Sequence, residues 1–210
     1  MDDATDDDRM REAHIGLFTG TWRVVREQLR LQADTLRILY SQAGEANEAR
    51  PMPPPLRLEM AEDDWAAFSD FFERNGRATG ARDVYASAVV LFIDLALKEL
   101  LRFYERIPNV PRLYGVSVNG VNVFDAFRAA GNNVRHHDEW RAPTRQIPMA
   151  DQAYWAVTII ATVVGRAVPE RDALSVMAAN WAWPVLHAVG CGTFEGWTCP
   201  GFVDTKISLS

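Results

Sequence analysis

The sequence predicts an all-α protein: a helical bundle of about five to six helices, with a long N-terminal helical arm and a short β-hairpin near 114–123. Three observations predict it. Apolar residues between Phe18 and Leu39 recur every three or four positions. The most apolar windows, Ala86–Leu97 and Tyr154–Val164, read as buried core helices and fall short of the ~20 residues of a membrane span. A single short segment alternates like a strand.

The elements follow in chain order. Residues 1–9 are expected to be a disordered acidic tail. Residues 10–43 form the arm, with Phe18, Trp22, Val25, Leu29, Gln32, Leu36 and Leu39 as its apolar stripe. About thirty residues exceed a typical helix, so the arm suits a hairpin or a dimer seam. Gly16 and Gly20 are candidate early breaks. Residues 44–60 form a linker, because Gly44, Pro51, Pro53, Pro54 and Pro55 favour extended chain.

The bundle spans 61–190. Its first helix opens on Glu62, Asp63 and Asp64, where negative charge suits the helix dipole. Trp65, Phe68, Phe71 and Phe72 give it an apolar face, and Gly76 and Gly80 are expected to break it. A long helix from about Arg82 to Ile107 follows, burying Val84, Ala88, Leu91, Leu95 and Leu101 and stopped by Pro108 and Pro111. Asn119-Gly120 between valines marks the hairpin. Further helices are expected at about 122–140 (stopped by Pro143), at 150–168, and at 170–189 with a bend at Pro184. Residues 191–210 read as a packed tail.

Composition bounds the function. The net charge of −6 gives no global attraction to DNA or to an anionic membrane. Only Lys98 and Lys206 are lysines. Genome base composition explains that bias simply, and the phosphate-matching fork of arginine is the functional alternative. Cys191 and Cys199 complete no zinc pattern. The acidic start has no signal-peptide character, so a cytoplasmic location is expected. Phosphate loops, dinucleotide fingerprints and nucleophile elbows are absent. No cofactor and no metal are expected.

Residues 124–141 carry the densest chemistry. On a helix, Phe124, Phe127, Gly131 and Val134 share the core face. Arg128, Asn132, Arg135 and Glu139 share a neighbouring face, and Asn133, His137 and Arg141 form a second polar row. His136 adjoins Arg135. Histidine exchanges protons near neutral pH, arginine stabilises charge on phosphate oxygens, and asparagine orients either. RNA cleavage by its own 2′-hydroxyl needs only such groups and no metal. The plain alternative is a solvated helix face with local pairs such as Arg135–Glu139.

The phrase Gly131-Asn132-Asn133-Val134-Arg135-His136-His137-Asp138-Glu139-Trp140 resembles the HEPN superfamily, on about ten residues of motif and on the helix pattern of 61–168. That family's signature is an arginine, often followed by a polar residue, with a histidine four to six residues on. Here Ala129 follows Arg128, seven residues separate Arg128 from His136, and Arg135 adjoins His136. The resemblance implies a helical bundle, commonly a homodimer, and RNA as a partner. It also implies metal-independent endoribonuclease activity of a toxin–antitoxin or phage-defence type. By that resemblance His136, with His137 as alternate, is the acid or base. Arg128 and Arg135 hold the phosphate, Asn132 orients, and Glu139 fixes an arginine; Asn133 and Arg141 complete the substrate contacts. A second expectation is a non-catalytic interaction protein that binds a partner through residues 10–43.

Two other groups are structural in this reading. His187 is expected to be a buried, hydrogen-bonded histidine, and Trp181, Trp183, Phe194, Trp197 and Phe202 to close the core.

Overall fold

The structure is a computed structural model, and it describes residues 6–56, 59, 61–104, 117–140, 151–170 and 179–189. These residues are mostly helical: α1 (Asp6–Leu31), α2 (Ala33–Glu48), α3 (Glu62–Tyr104), α4 (Val123–Trp140), α5 (Asp151–Val163) and α6 (Ala182–Ala188). One two-stranded antiparallel sheet joins β1 (Ser117–Val118) to β2 (Val121–Asn122), with Ser117 opposite Asn122. The all-α expectation and the hairpin therefore hold. No described helix is long and apolar enough to cross a membrane.

Helix α1 starts at Asp6, so Asp6, Asp7 and Asp8 form its first turn rather than a tail. Between α1 and α2 only Gln32 departs from helical geometry (φ −99°, ψ 3°), and the Leu36 amide still donates to the Gln32 carbonyl at 2.9 Å. Val25, Leu29, Leu36 and Ala43 are buried against the bundle. Gln32, expected in the stripe, is exposed at this irregular turn. Gly44 is helical rather than linker, because the α2 pattern runs on to Glu48.

Helix α3 is one unbroken helix of 43 residues, about 65 Å long. The break expected at Gly76 and Gly80 does not occur. An isolated glycine costs a helix only about 1 kcal/mol, and residues on both sides propagate it. Its first turn is tied by reciprocal bonds between Ala61 and Asp64. Its buried face is also not the expected one. Ala86, Val89, Val90, Ile93 and Leu97 are buried, whereas Val84 and Leu95 are exposed. With apolar residues nearly all round, the neighbouring helices choose the face. Trp65 and Phe72 are exposed too. Arg50, just past α2, hydrogen-bonds Asn75 at 3.1 Å. The first residues of α3 thus extend beyond the helix that covers the rest.

The hairpin positions α4. Asn119 and Gly120 take positive φ (51° and 80°), as a tight two-residue turn requires. The Asn119 side chain donates to the Val163 carbonyl at the end of α5 (3.0 Å). Asn122 then caps α4, accepting the Phe124 amide at 2.8 Å. Helix α5 stops at Val163, before the expected 168, because Gly165 (φ 70°) ends it and the Arg166 amide bonds back to Ala161.

The helix expected over 170–189 is reduced among the described residues to α6. Pro184 lies in its first turn, where a missing N–H is harmless. Trp181 and Trp183 are buried, and Trp183 meets Tyr40 with ring centroids 5.5 Å apart. His187 is exposed and stacked on Trp183, rather than buried, because it falls on the outer side of this short helix. The stops at Pro108, Pro111 and Pro143, and the tail 191–210 with Cys191, Cys199, Phe194, Trp197 and Phe202, lie outside the described residues.

Candidate functional site

Three helices meet around a cleft of about 380 Å³ lined by Asp94, Lys98, Arg128, Asn132, Arg135, Gln152 and Trp155. Each helix contributes one row at helical spacing. Asp94 and Lys98 come from α3, and Arg128, Asn132 and Arg135 from α4. Gln152 and Trp155 come from α5. The polar row of α4 is presented because the opposite side is fixed inward. Phe124, Phe127, Ala130 and Gly131 are buried.

Asp94, Arg135 and Arg128 are each held by a partner. Asp94 is 2% exposed, and its Oδ2 accepts Arg135 Nη1 at 2.6 Å. That bond crosses from α3 to α4; the local Arg135–Glu139 pair that the sequence suggests rests on a side chain outside the described residues. The close approach depends on Gly131. A Cβ built there would lie 2.6 Å from the Asp94 Cγ and 2.8 Å from its Cβ. Arg128 lies over the Trp155 ring, 5.3 Å from its centroid, a cation–π geometry that fixes the guanidinium at the rim.

The lining carries three cations and one carboxylate, and that carboxylate is bonded to Arg135. Two carboxamides and an indole complete it. This set suits an anion with a flat or hydrogen-bonding body, such as a phosphate on a nucleoside. Among the described residues no three His, Cys, Asp or Glu side chains cluster as metal ligands would.

Three of the five residues expected to be catalytic, Arg128, Asn132 and Arg135, thus share one cleft. His136 is half-buried on α4 and stands outside the lining. His137 and Glu139 lie on the α4 backbone, with side chains outside the described residues, as is Arg141 altogether. Asn133 is a correction. It is fully buried, its Nδ2 donates to the Ala179 carbonyl (3.2 Å), and its Oδ1 accepts the Trp181 amide (2.9 Å). Its amide joins α4 to the chain entering α6 and does not face a substrate. Asn180 extends the joint, donating to Ser87 at 2.7 Å and accepting the Ala182 amide at 2.9 Å. Asn133→Ala is expected to cost about 2 kcal/mol, since the Trp181 amide loses its buried partner. Urea denaturation reads this, and a loss below ~0.5 kcal/mol would mean water replaces the side chain.

None of Asp94, Lys98, Gln152 and Trp155 is among the site residues expected from the sequence. Asp94 had a signal: a lone carboxylate inside the apolar window 86–97 is buried only when paired. The other three had none. Compared with known proteins, this chain matches no family model, no curated protein and no solved structure.

Proposed function

We propose that this chain is an RNA-directed protein that holds a phosphodiester backbone in the α3–α4–α5 cleft. The observation that carries this is the convergence of Lys98, Arg128 and Arg135 beside Asn132, Gln152 and Trp155. Arginine forks match phosphate oxygens, the carboxamides suit ribose hydroxyls or base edges, and an indole offers a surface on which a base stacks. The net charge of −6 opposes a polyanion at long range, so binding is local and salt-sensitive. The HEPN-like motif adds metal-independent cleavage to this reading, with His136 as the proton-transfer group. The geometry supports phosphate binding further than cleavage, since His136 stands outside the lining.

The test measures single-stranded RNA binding against salt, together with cleavage in EDTA. Three cation–phosphate contacts give a slope of log K on log salt of about −2. Lys98→Ala or Arg128→Ala is expected to bring the slope to about −1.4 and to weaken binding roughly 5–10-fold. A salt slope near zero, or variants that bind like the wild type, would remove the cleft from RNA recognition. Cutting that vanishes in His136→Ala/His137→Ala would support catalysis. Intact RNA throughout, with binding retained, would leave a binding protein and remove the nuclease.

A further inference from the structure

Helices α1 and α2 carry two rows at a seven-residue period. The inner row, Leu29, Leu36 and Ala43, is buried with Val25 beside it, and α3 covers this side. The outer row is Met10, Leu17, Val24, Leu31 and Ile38. Each is seven residues from the next, and each is 57–66% exposed. Scattered apolar residues on a surface need no explanation, but five in one register do.

We propose that the outer row is the interface between two copies of this chain, paired about a two-fold axis helix against helix. This proposal is independent of the cleft. A row of five exposed apolar residues at one helical register is matched in length by another helix that carries the same row. A helix with apolar rows on opposite sides belongs between two neighbours, and among the described elements α3 fills only one side. Five such side chains present on the order of 500 Å² per copy, or about 1,000 Å² in a symmetric pair, which reaches the size of a specific interface.

The flanks favour a second copy over a strongly charged partner. One side of the row carries Glu27 and Asp34, with Arg23, Arg30 and Arg37 on the strip beyond. Arg30 bonds Glu27 through Nε and Nη2 (2.8 and 2.6 Å), and Arg37 bonds Asp34 at 3.0 Å. The hydrogen bonds from Arg30 hold the Glu27 carboxyl below its ordinary range. Charge is thus largely balanced within each copy, as a surface meeting itself requires. Positions four residues after the apolar row hold His14, Thr21, Gln28, Thr35 and Gln42, so that flank brings no acidic residues to the pair. A membrane-lying helix would need a wide apolar face, and this one is a single residue wide with Glu27 and Asp34 at its border.

The experiment is sedimentation of the whole chain at micromolar concentration. Wild type is expected at twice the chain mass. Leu17→Glu/Leu31→Glu is expected as monomer, with dimer affinity down at least ~100-fold and the helical circular dichroism retained. Val84→Glu, an exposed change on α3 away from the row, keeps the dimer. As a second measurement, Val24→Cys sits at the middle of the row and faces its own copy in either helix direction. Placed in a Cys191→Ser/Cys199→Ser background, it is expected to form an interchain disulfide with a mild oxidant, whereas Val84→Cys is not. A monomeric wild type overturns the proposal and leaves the row to a different protein. A dimer that persists in Leu17→Glu/Leu31→Glu overturns it too.

Discussion

Arg135→Ala is expected to destabilise the fold by about 3 kcal/mol, because it strands a buried carboxylate. Asp94 is 2% exposed and its bonded partner is Arg135, itself 31% exposed. The asymmetry in exposure predicts an asymmetry in cost. Asp94→Asn leaves a guanidinium that can turn to water, so it should cost only about 1 kcal/mol. The double variant Asp94→Asn/Arg135→Ala should recover part of the Arg135→Ala loss, with a coupling of about 1–2 kcal/mol. Urea denaturation of the four proteins measures the cycle. A loss below ~1 kcal/mol for Arg135→Ala, with no coupling, would mean that water reaches Asp94. Arg135 would then serve only the cleft. As it stands, one guanidinium both seals a helix interface and lines the candidate site. In a test of the RNA binding proposed for the cleft, Arg135 variants would therefore mix two causes, and Lys98 and Arg128 give the cleaner test.

The legible and illegible parts of this protein divide along one physical line. Features carried by a single helix could be read. The row Arg128, Asn132 and Arg135 follows from helical spacing alone, because Phe124, Phe127 and Gly131 fix which side faces in. The Asn119-Gly120 turn follows from local backbone preference. Features set by a second helix could not be read. Nothing in the spacing of α4 says that Asp94, on α3, takes Arg135. The buried face of α3 is not legible in the sequence because its middle is apolar nearly all round, so periodicity has little contrast there. Adjacent Asn132 and Asn133 look alike in sequence, yet one lines the cleft and the other is consumed by Ala179 and Trp181. The outer row of α1 and α2 was present in the sequence throughout. The two rows share a seven-residue period on different sides of the helices, so periodicity alone does not say which of them α3 covers.

Glycine tests this line most sharply, since one substitution should change sign with its surroundings. Gly76→Ala lies in α3 with nothing within 4 Å of the added carbon. Helix propensity alone acts there, so a gain of about 0.5–1 kcal/mol is expected. Gly131→Ala gains the same propensity but places its Cβ 2.6 Å from Asp94 Cγ. The first atoms met belong to the root and middle of a short, buried side chain, which has no room to swing aside. Overpacking of this kind costs about 1–3 kcal/mol and outweighs propensity, so a net loss of roughly 1–2 kcal/mol is expected. The strain falls on the bond that places Arg135 in the cleft. If the cleft holds RNA as proposed, Gly131→Ala should therefore weaken that binding along with stability, while Gly76→Ala should leave it unchanged. Thermal or urea unfolding of both variants decides the matter. A stabilised Gly131→Ala would show that α3 and α4 separate at little cost, and the geometry of the cleft would then be far softer than the Asp94–Arg135 contact implies.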